Sequence, residues 1–392
     1  MTRSSYPQDH DLPDFLQNSP YIPLSTGNDH FSTSHHVQRP IPAPTLSQIL
    51  RSKRARQVTI LLVLLCTFLY FRSQAQNHDL LTHLGFRGPK CLLNPPVAVP
   101  ELGAAEANGT DWTQFAYVQY VTTPDYLCNA VMMFEALHRM GSKPDRLLMY
   151  PSTYSLDKTS KMEGFLLLKA KYEYGVTLVP IDVLSKDLEY QQWASSYTKL
   201  LAFNQTTHSR LLVLDSDATL LAPLDALFLT PPSRVSTPRA YWLPTPMLAS
   251  HIMLITPSAP GFSQIQTSIS KAKLGIYDME IVNALYGNDC VVLPHRKYAL
   301  LSGEFRGWEH GRYGGEWDVG EVIKEARYVH FSDDPRPKPW VEATEREIES
   351  VRPICDLGPD GHLDCRGRDF WDWLYEDFKT RRMDICDMSL DE

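Results

Sequence analysis

Residues 210–221 read RLLVLDSDATLL. The first half contains a short unbroken apolar run, Leu211-Leu212-Val213-Leu214, with no polar alternation. A strand solvated on one face alternates, whereas a continuous run of this length fits a strand covered on both faces, as in the parallel sheets of α/β proteins. The run stops at two acids, Asp215 and Asp217, placed at i and i+2 around Ser216. In open α/β sheets ligands lie beyond the carboxyl ends of the strands, which is where this pair falls. Two carboxylates so spaced can converge on one hard cation, and oxygen ligation suits Mg²⁺ or Mn²⁺. The plain alternative is a turn with two solvated carboxylates, and the buried strand in front of the triplet argues against it.

Working outward, the spacing of apolar residues predicts strands over 115–121, 146–150 and 176–180, with helical stretches over 126–140, 158–174 and 194–204. Strands alternating with helices imply an α/β domain with a mainly parallel sheet flanked by helices. This domain is expected to occupy 113–345. A cysteine-containing extension, 346–392, should pack on it through Phe370, Trp373, Leu374 and Phe378, which share a helical face.

The N-terminal part reads differently. Residues 1–50 hold seven Pro and seven Ser and show no helix or strand period, as in a disordered tail. Arg51, Lys53, Arg54 and Arg56 then precede an apolar stretch over 58–71, closed by Arg72. The stretch is shorter than the roughly 20 residues usual for a spanning helix, yet flanking arginines can snorkel outward. A buried core helix should show a polar face, and a cleaved signal peptide should start closer to the N-terminus. A single-pass signal anchor over 51–72 is the expectation, with the basic flank in the cytosol and the C-terminal domain lumenal. Residues 73–112, with Pro95, Pro96 and Pro100, read as a stem. The sequons at Asn108 and Asn204 agree with that topology. Six of the seven cysteines lie beyond the apolar stretch, an even set that suits an oxidising compartment. Among them Cys355, Cys365 and Cys386 are the best candidates for a local bridge. The net charge of −8 argues against nucleic acid as the main partner, since a phosphate-backbone binder carries a basic face.

Five segments in order give a further reading: 117–126 (YVQYVTTPDY), 197–201 (YTKLL), 210–221 (RLLVLDSDATLL), 278–283 (DMEIVN) and 329–340 (VHFSDDPRPKPW). Over residues 113–392 the chain resembles glycosyltransferase family 8, the glycogenin-like group, and within it the fungal glucose N-acetyltransferase type. The resemblance implies a GT-A fold, with a nucleotide-binding α/β half merged with an acceptor-binding half. It implies that Asp215, Asp217 and His330 ligate the metal, and the added imidazole tilts the choice towards Mn²⁺. Thr122, Thr123, Tyr126, Asp215, Ser216 and Lys338 are then expected to bind the UDP-sugar, with Tyr126 beside the uracil and Lys338 on the diphosphate. Lys199, Asp278 and Glu280 would serve catalysis near the transferred sugar. Two departures stand out. Ser332 to Pro337 replace the family's usual glycine and lengthen the loop before Lys338, and Met279 stands where glycogenin has glutamine.

The activity implied is retaining transfer, giving an α linkage, of GlcNAc from UDP-GlcNAc to a glycan or glycoprotein acceptor, with mannose-containing N-glycans foremost. Both double displacement on Asp278 and front-face attack are compatible with it. A donor that is UDP-glucose or another UDP-sugar, and a catalytically degenerate lumenal binding or scaffold protein, are the competing readings. The anchor and the resemblance together imply a Golgi membrane protein of type II topology.

Overall fold

The computed structural model describes residues 89–388, apart from 157–161, 186–194, 274, 307–309 and 358–361. The expected tail and anchor therefore lie outside the described residues. Among the described residues no helix is long and apolar enough to cross a membrane.

A seven-stranded sheet forms the centre. Its strands are β1 (Phe115–Tyr120), β2 (Asp145–Pro151), β3 (Val176–Ile181), β4 (Arg210–Leu214), β6 (Val235–Pro238), β7 (Ile252–Ile255) and β8 (Cys290–Leu293), in the order β3-β2-β1-β4-β7-β6-β8. β1 pairs in parallel with β2 and β4, β2 with β3, and β6 with β8. Only β7 runs against its two neighbours. The sheet is thus mixed and mainly parallel, as expected. The antiparallel strand was not legible because an apolar run such as Ile252-Met253-Leu254-Ile255 carries no sign of direction.

The apolar run of β4 is buried throughout, and its side chains feed two cores in alternation. Leu212 and Leu214 join Tyr117 and Leu148 on one face; Leu211 and Val213 join Ala116, Val118, Leu147 and Met149 on the other. The period of two along a strand requires this split, and each such side chain contributes about 1.5–3 kcal/mol by leaving water.

The first face is covered by helix α1 (Pro124–Arg139), helix α2 (Met162–Glu173) and the long C-terminal helix; the second by the 3₁₀ segment Ser196–Asn204 and by helices α3 (Ala259–Lys271) and α4 (Asp278–Tyr286). α1 begins where Pro124 takes the first helical position and Asp125 meets the positive end of the helix dipole. It ends at Gly141, whose φ of 69° is a conformation that glycine adopts without penalty.

A second, small sheet places β10 (Tyr328–His330) between β5 (Ala218–Leu220) and β9 (Leu300–Leu301). β10 runs antiparallel to β5, with His330 opposite Ala218 and Tyr328 opposite Leu220. This register decides the site, because Ala218 follows Asp217 directly.

The C-terminal helix, α5 (Arg366–Cys386), packs on the catalytic domain with the expected Phe370, Leu374 and Phe378 turned inwards and the expected Trp373 turned out. Trp371, Leu374, Tyr375, Phe378 and Arg382 are buried, while Trp373 is 46% exposed. Large aromatics flank both sides of this helix, so apolar spacing alone does not fix its phase. Cys386 bonds Cys128 of α1, Cys355 bonds Cys365, and Cys91 bonds Cys290. Of the three C-terminal cysteines, two form the expected local bridge and the third reaches across the domain. The Cys91 bond and a backbone hydrogen bond from Val97 N to Val292 O tie part of the expected stem to β8. Asn108 and Asn204 are both exposed, as glycan acceptors must be.

Candidate active site

Asp215 and Asp217 leave the carboxyl end of β4 as the chain turns into β5. The parallel register between β1 and β4, Val118 opposite Val213, carries Tyr120 level with Asp215. The Tyr120 hydroxyl donates to Asp215 Oδ1 at 2.9 Å. On the other oxygen, Asp215 Oδ2, the Lys199 ammonium donates at 2.8 Å, and the same nitrogen lies 3.1 Å from Asp278 Oδ2. Lys199 is supplied by the 3₁₀ segment and is 4% exposed. Asp278 is the first residue of α4, where the helix dipole favours a carboxylate.

Asp217 is satisfied from the opposite side. His330 Nε2 lies 3.1 Å from its Oδ1, and Lys338 Nζ donates to its Oδ2 at 2.8 Å. Lys338 also donates to the Phe331 carbonyl. The β5–β10 pairing extends to this point, since Phe331 N donates to Asp217 O at 2.9 Å. Asp215, Asp217 and His330 offer ligand atoms within 4.8 Å of one another, so the three expected metal ligands do converge.

Burial pushes the Asp215 carboxyl up, and the charge on Lys199 offsets only part of that. Burial acts on Asp217 too, but His330 and Lys338 outweigh it and hold that carboxyl well below the usual range. Burial would lower Lys199; Asp215 and Asp278 override it and raise the ammonium instead.

Glu280 is placed differently from its expected role. Its carboxylate accepts from Tyr277 N at 2.9 Å and so caps its own helix. Thr122 is half-buried and Thr123 is exposed at the N-cap of α1, where β1 ends. Tyr126, in the first turn of α1, meets Trp340 edge-on at 5.3 Å between ring centroids. Ser216 is buried, and its hydroxyl has no hydrogen-bond partner among the described residues.

No protein-family model matches the chain. Among curated proteins it is 46% identical over 289 residues to glucose N-acetyltransferase 1 of Gibberella zeae, covering 71% of this chain and 63% of that protein. It is 38% identical over 361 residues to glucose N-acetyltransferase 1 of Aspergillus fumigatus, covering 85% of this chain and 87% of that protein. The chain belongs to the glucose N-acetyltransferase family. Among solved structures, the WbbM bifunctional glycosyltransferase overlays with a TM-score of 0.47 at 14% identity, over 72% of this chain and 52% of that one. In this member of the glucose N-acetyltransferase family the fold is α/β, a mixed sheet flanked by helices with the carboxylate pair at a strand end.

The site fits a divalent cation on its own chemistry. Its three carboxylates, Asp215, Asp217 and Asp278, face two lysines, which leaves the cluster short of positive charge. The donor set at its centre is two carboxylates and one imidazole, a mixed oxygen and nitrogen set that suits a divalent cation.

Three features of the site escaped the sequence. Tyr120 is one; its signal was present, because it ends the strand beside Asp215. His251 is another: its ring stands 4.9 Å from that of His330 and stacks on Tyr328 at 5.9 Å. The Tyr328 hydroxyl lies 2.9 Å from the Asp215 carbonyl oxygen. The third is the anchorage of the loop before Lys338. Asp333 is buried and accepts from Trp371 Nε1 at 3.2 Å, from the Tyr375 hydroxyl at 2.7 Å and from Ser302, with Arg306 Nε at 3.0 Å. Arg336 stacks its guanidinium over Tyr375 and Trp371. Trp371 is thus a fixed packing and hydrogen-bonding residue. The lengthened loop is built on the C-terminal helix, which accounts for the first of the two departures from the glycogenin pattern.

Proposed function

We propose that the protein is a retaining, divalent-cation-dependent transferase that moves GlcNAc from UDP-GlcNAc to a mannose-containing glycan. The observation that carries this reading is the convergence of Asp215, Asp217 and His330, with Lys199 and Lys338 closing on the same carboxylates. Asp215, Asp217 and His330 would hold Mn²⁺ or Mg²⁺, whose chemistry is to neutralise the diphosphate and polarise it as it leaves. Lys338, a point charge on a loop anchored at Asp333, stabilises the negative charge of the departing UDP. Asp278, fixed by Lys199, sets negative charge opposite the positive charge that builds at the sugar's anomeric carbon. Tyr120, protonated because burial and Asp215 push its phenol far up, orients Asp215 as a donor. Thr122, Thr123 and Tyr126, at the end of β1, receive the uridine. The names of the relatives support GlcNAc as the sugar. A type II anchor at 51–72 and a Golgi lumenal location belong to the same reading and are supported by three disulfides.

The test is a panel of UDP-sugars with the purified chain, with and without Mn²⁺, scoring both transfer and hydrolysis. The expected result is Mn²⁺-dependent turnover of UDP-GlcNAc, abolished by chelation. A folded protein that binds no UDP in the presence of Mn²⁺ would overturn the reading.

A further inference from the structure

The polar site has one apolar flank. Buried Ala240, Met247 and Ala249 form a small cluster apart from the two main cores, and Trp242, Leu243 and Met279 pack against it while remaining half-exposed. At one end of this patch Met279 follows Asp278, which Lys199 holds beside Asp215. At the other end the Trp242 ring lies 5.4 Å from His251, whose ring stands 4.9 Å from that of His330. The patch thus runs from the residue that follows Asp278 to a ring in contact with His251, the neighbour of His330.

Its shape is fixed. Ala240 N donates to Met247 O at 2.8 Å, closing the loop that carries Trp242 and Leu243. The buried Asn283 amide joins that loop to α4: its oxygen accepts from Leu248 N at 2.8 Å, and its nitrogen donates to Leu248 O at 2.9 Å and to Met279 O at 2.8 Å. Partly exposed apolar surface held this rigidly, one residue from Asp278, offers a fixed seat for an apolar group of a ligand.

We infer that Met279, with Leu243 and Trp242, receives the acetamido methyl of the transferred sugar and so selects N-acetylhexosamine over hexose donors. The inference rests on the donor reading above. A hexose would set its 2-hydroxyl against a thioether, which is a poor acceptor, and would lose the hydrogen bonds it makes to water. An acetamido methyl instead removes apolar area from water on both sides of the contact. The flexible thioether adapts to fill the remaining gap.

The decisive comparison is kcat/KM for UDP-GlcNAc against UDP-glucose in the wild type, Met279→Gln and Met279→Leu. One methyl group in an apolar pocket discriminates by roughly 10–200-fold. Met279→Gln should move the donor ratio towards UDP-glucose by at least the lower end of that range, and Met279→Leu should keep the wild-type preference. Saturation-transfer NMR gives a readout without turnover: the acetyl methyl of UDP-GlcNAc should receive strong saturation from the wild type and weak saturation from Met279→Gln. An unchanged donor ratio in Met279→Gln overturns the inference, as does a wild type that uses UDP-glucose at least as well as UDP-GlcNAc. The first result leaves the UDP-GlcNAc reading standing, whereas the second removes that donor reading too and leaves only a UDP-sugar transferase. A wild type that binds no UDP with Mn²⁺ removes that reading, and the inference with it.

Discussion

The Lys199 ammonium sits 2.8 Å from Asp215 Oδ2, with 4% and 14% of the two side chains exposed. A charge pair so deeply buried is costly to break from one side, because the partner left behind stays charged and unsolvated. Lys199→Met should therefore destabilise the fold by about 3–5 kcal/mol, seen as a lower urea midpoint. Adding Asp215→Asn should recover part of that loss. Strict additivity of the two changes in a double-mutant cycle would show that the pair is not coupled.

Asp217 carries two cationic partners and one of the three convergent ligand positions. Asp217→Asn keeps the shape and removes the charge. It should lower Mn²⁺-dependent turnover by more than the roughly 10–100-fold lost with an outer-shell partner of a metal ligand. Mn²⁺ binding followed by electron paramagnetic resonance should weaken in parallel, with the circular dichroism spectrum unchanged. Tight Mn²⁺ binding by the variant would take Asp217 out of the metal site.

Burial, with the charges of His330 and Lys199 adding to it, holds His251 well below its usual 6.5. The folded protein keeps this imidazole neutral, whereas the unfolded chain takes up a proton below about pH 6.5. Its contribution to stability is complete above that value and is lost as the pH falls. The slope from this one group approaches about 1.4 kcal/mol per pH unit on the acid side. His251→Phe, which keeps the ring stack and the backbone carbonyl, should flatten the pH dependence of denaturation midpoints below pH 6.5. An unaltered slope would assign the acid sensitivity to other groups.

The Cys128–Cys386 bond closes a sequence separation of 258 residues and fastens the helix on which the Lys338 loop is built. The Cys128→Ala, Cys386→Ala double variant should lose about 2–5 kcal/mol, read as a lower Tm. Its turnover should fall at temperatures where the rest of the domain is still folded. Equal losses of turnover and of near-ultraviolet dichroism across temperature would instead indicate global unfolding.

How much of this was legible follows from how each element announces itself. β4 and its triplet were plain, because a doubly covered strand is written as an apolar run and its acids follow at once. His330 and Lys338 were reached through the resemblance, since the residues between 217 and 330 give no local hint that β10 returns to β5. Glu280 was read as facing the sugar; its side chain instead satisfies the N-terminus of α4. Sequence spacing shows that an acid stands near a helix start, and it does not show which of two acids turns inwards. On α5 the expected Phe370, Leu374 and Phe378 do pack inwards, but Trp373 turns out, and the Asp333 loop takes Trp371 and Tyr375 in its place, which apolar spacing does not show. The pairing of Cys128 with Cys386 depends on tertiary approach that spacing does not encode.

The dependence of the Lys338 loop on α5 has a temporal side. During synthesis the carboxylates of β4 and the histidine of β10 emerge well before the helix that steadies Asp333 and the thiol that captures Cys128. Until that helix docks, Asp333 lacks Trp371 and Tyr375, and the loop before Lys338 has no floor. The loop before Lys338 is therefore among the last parts of the domain to take its final form.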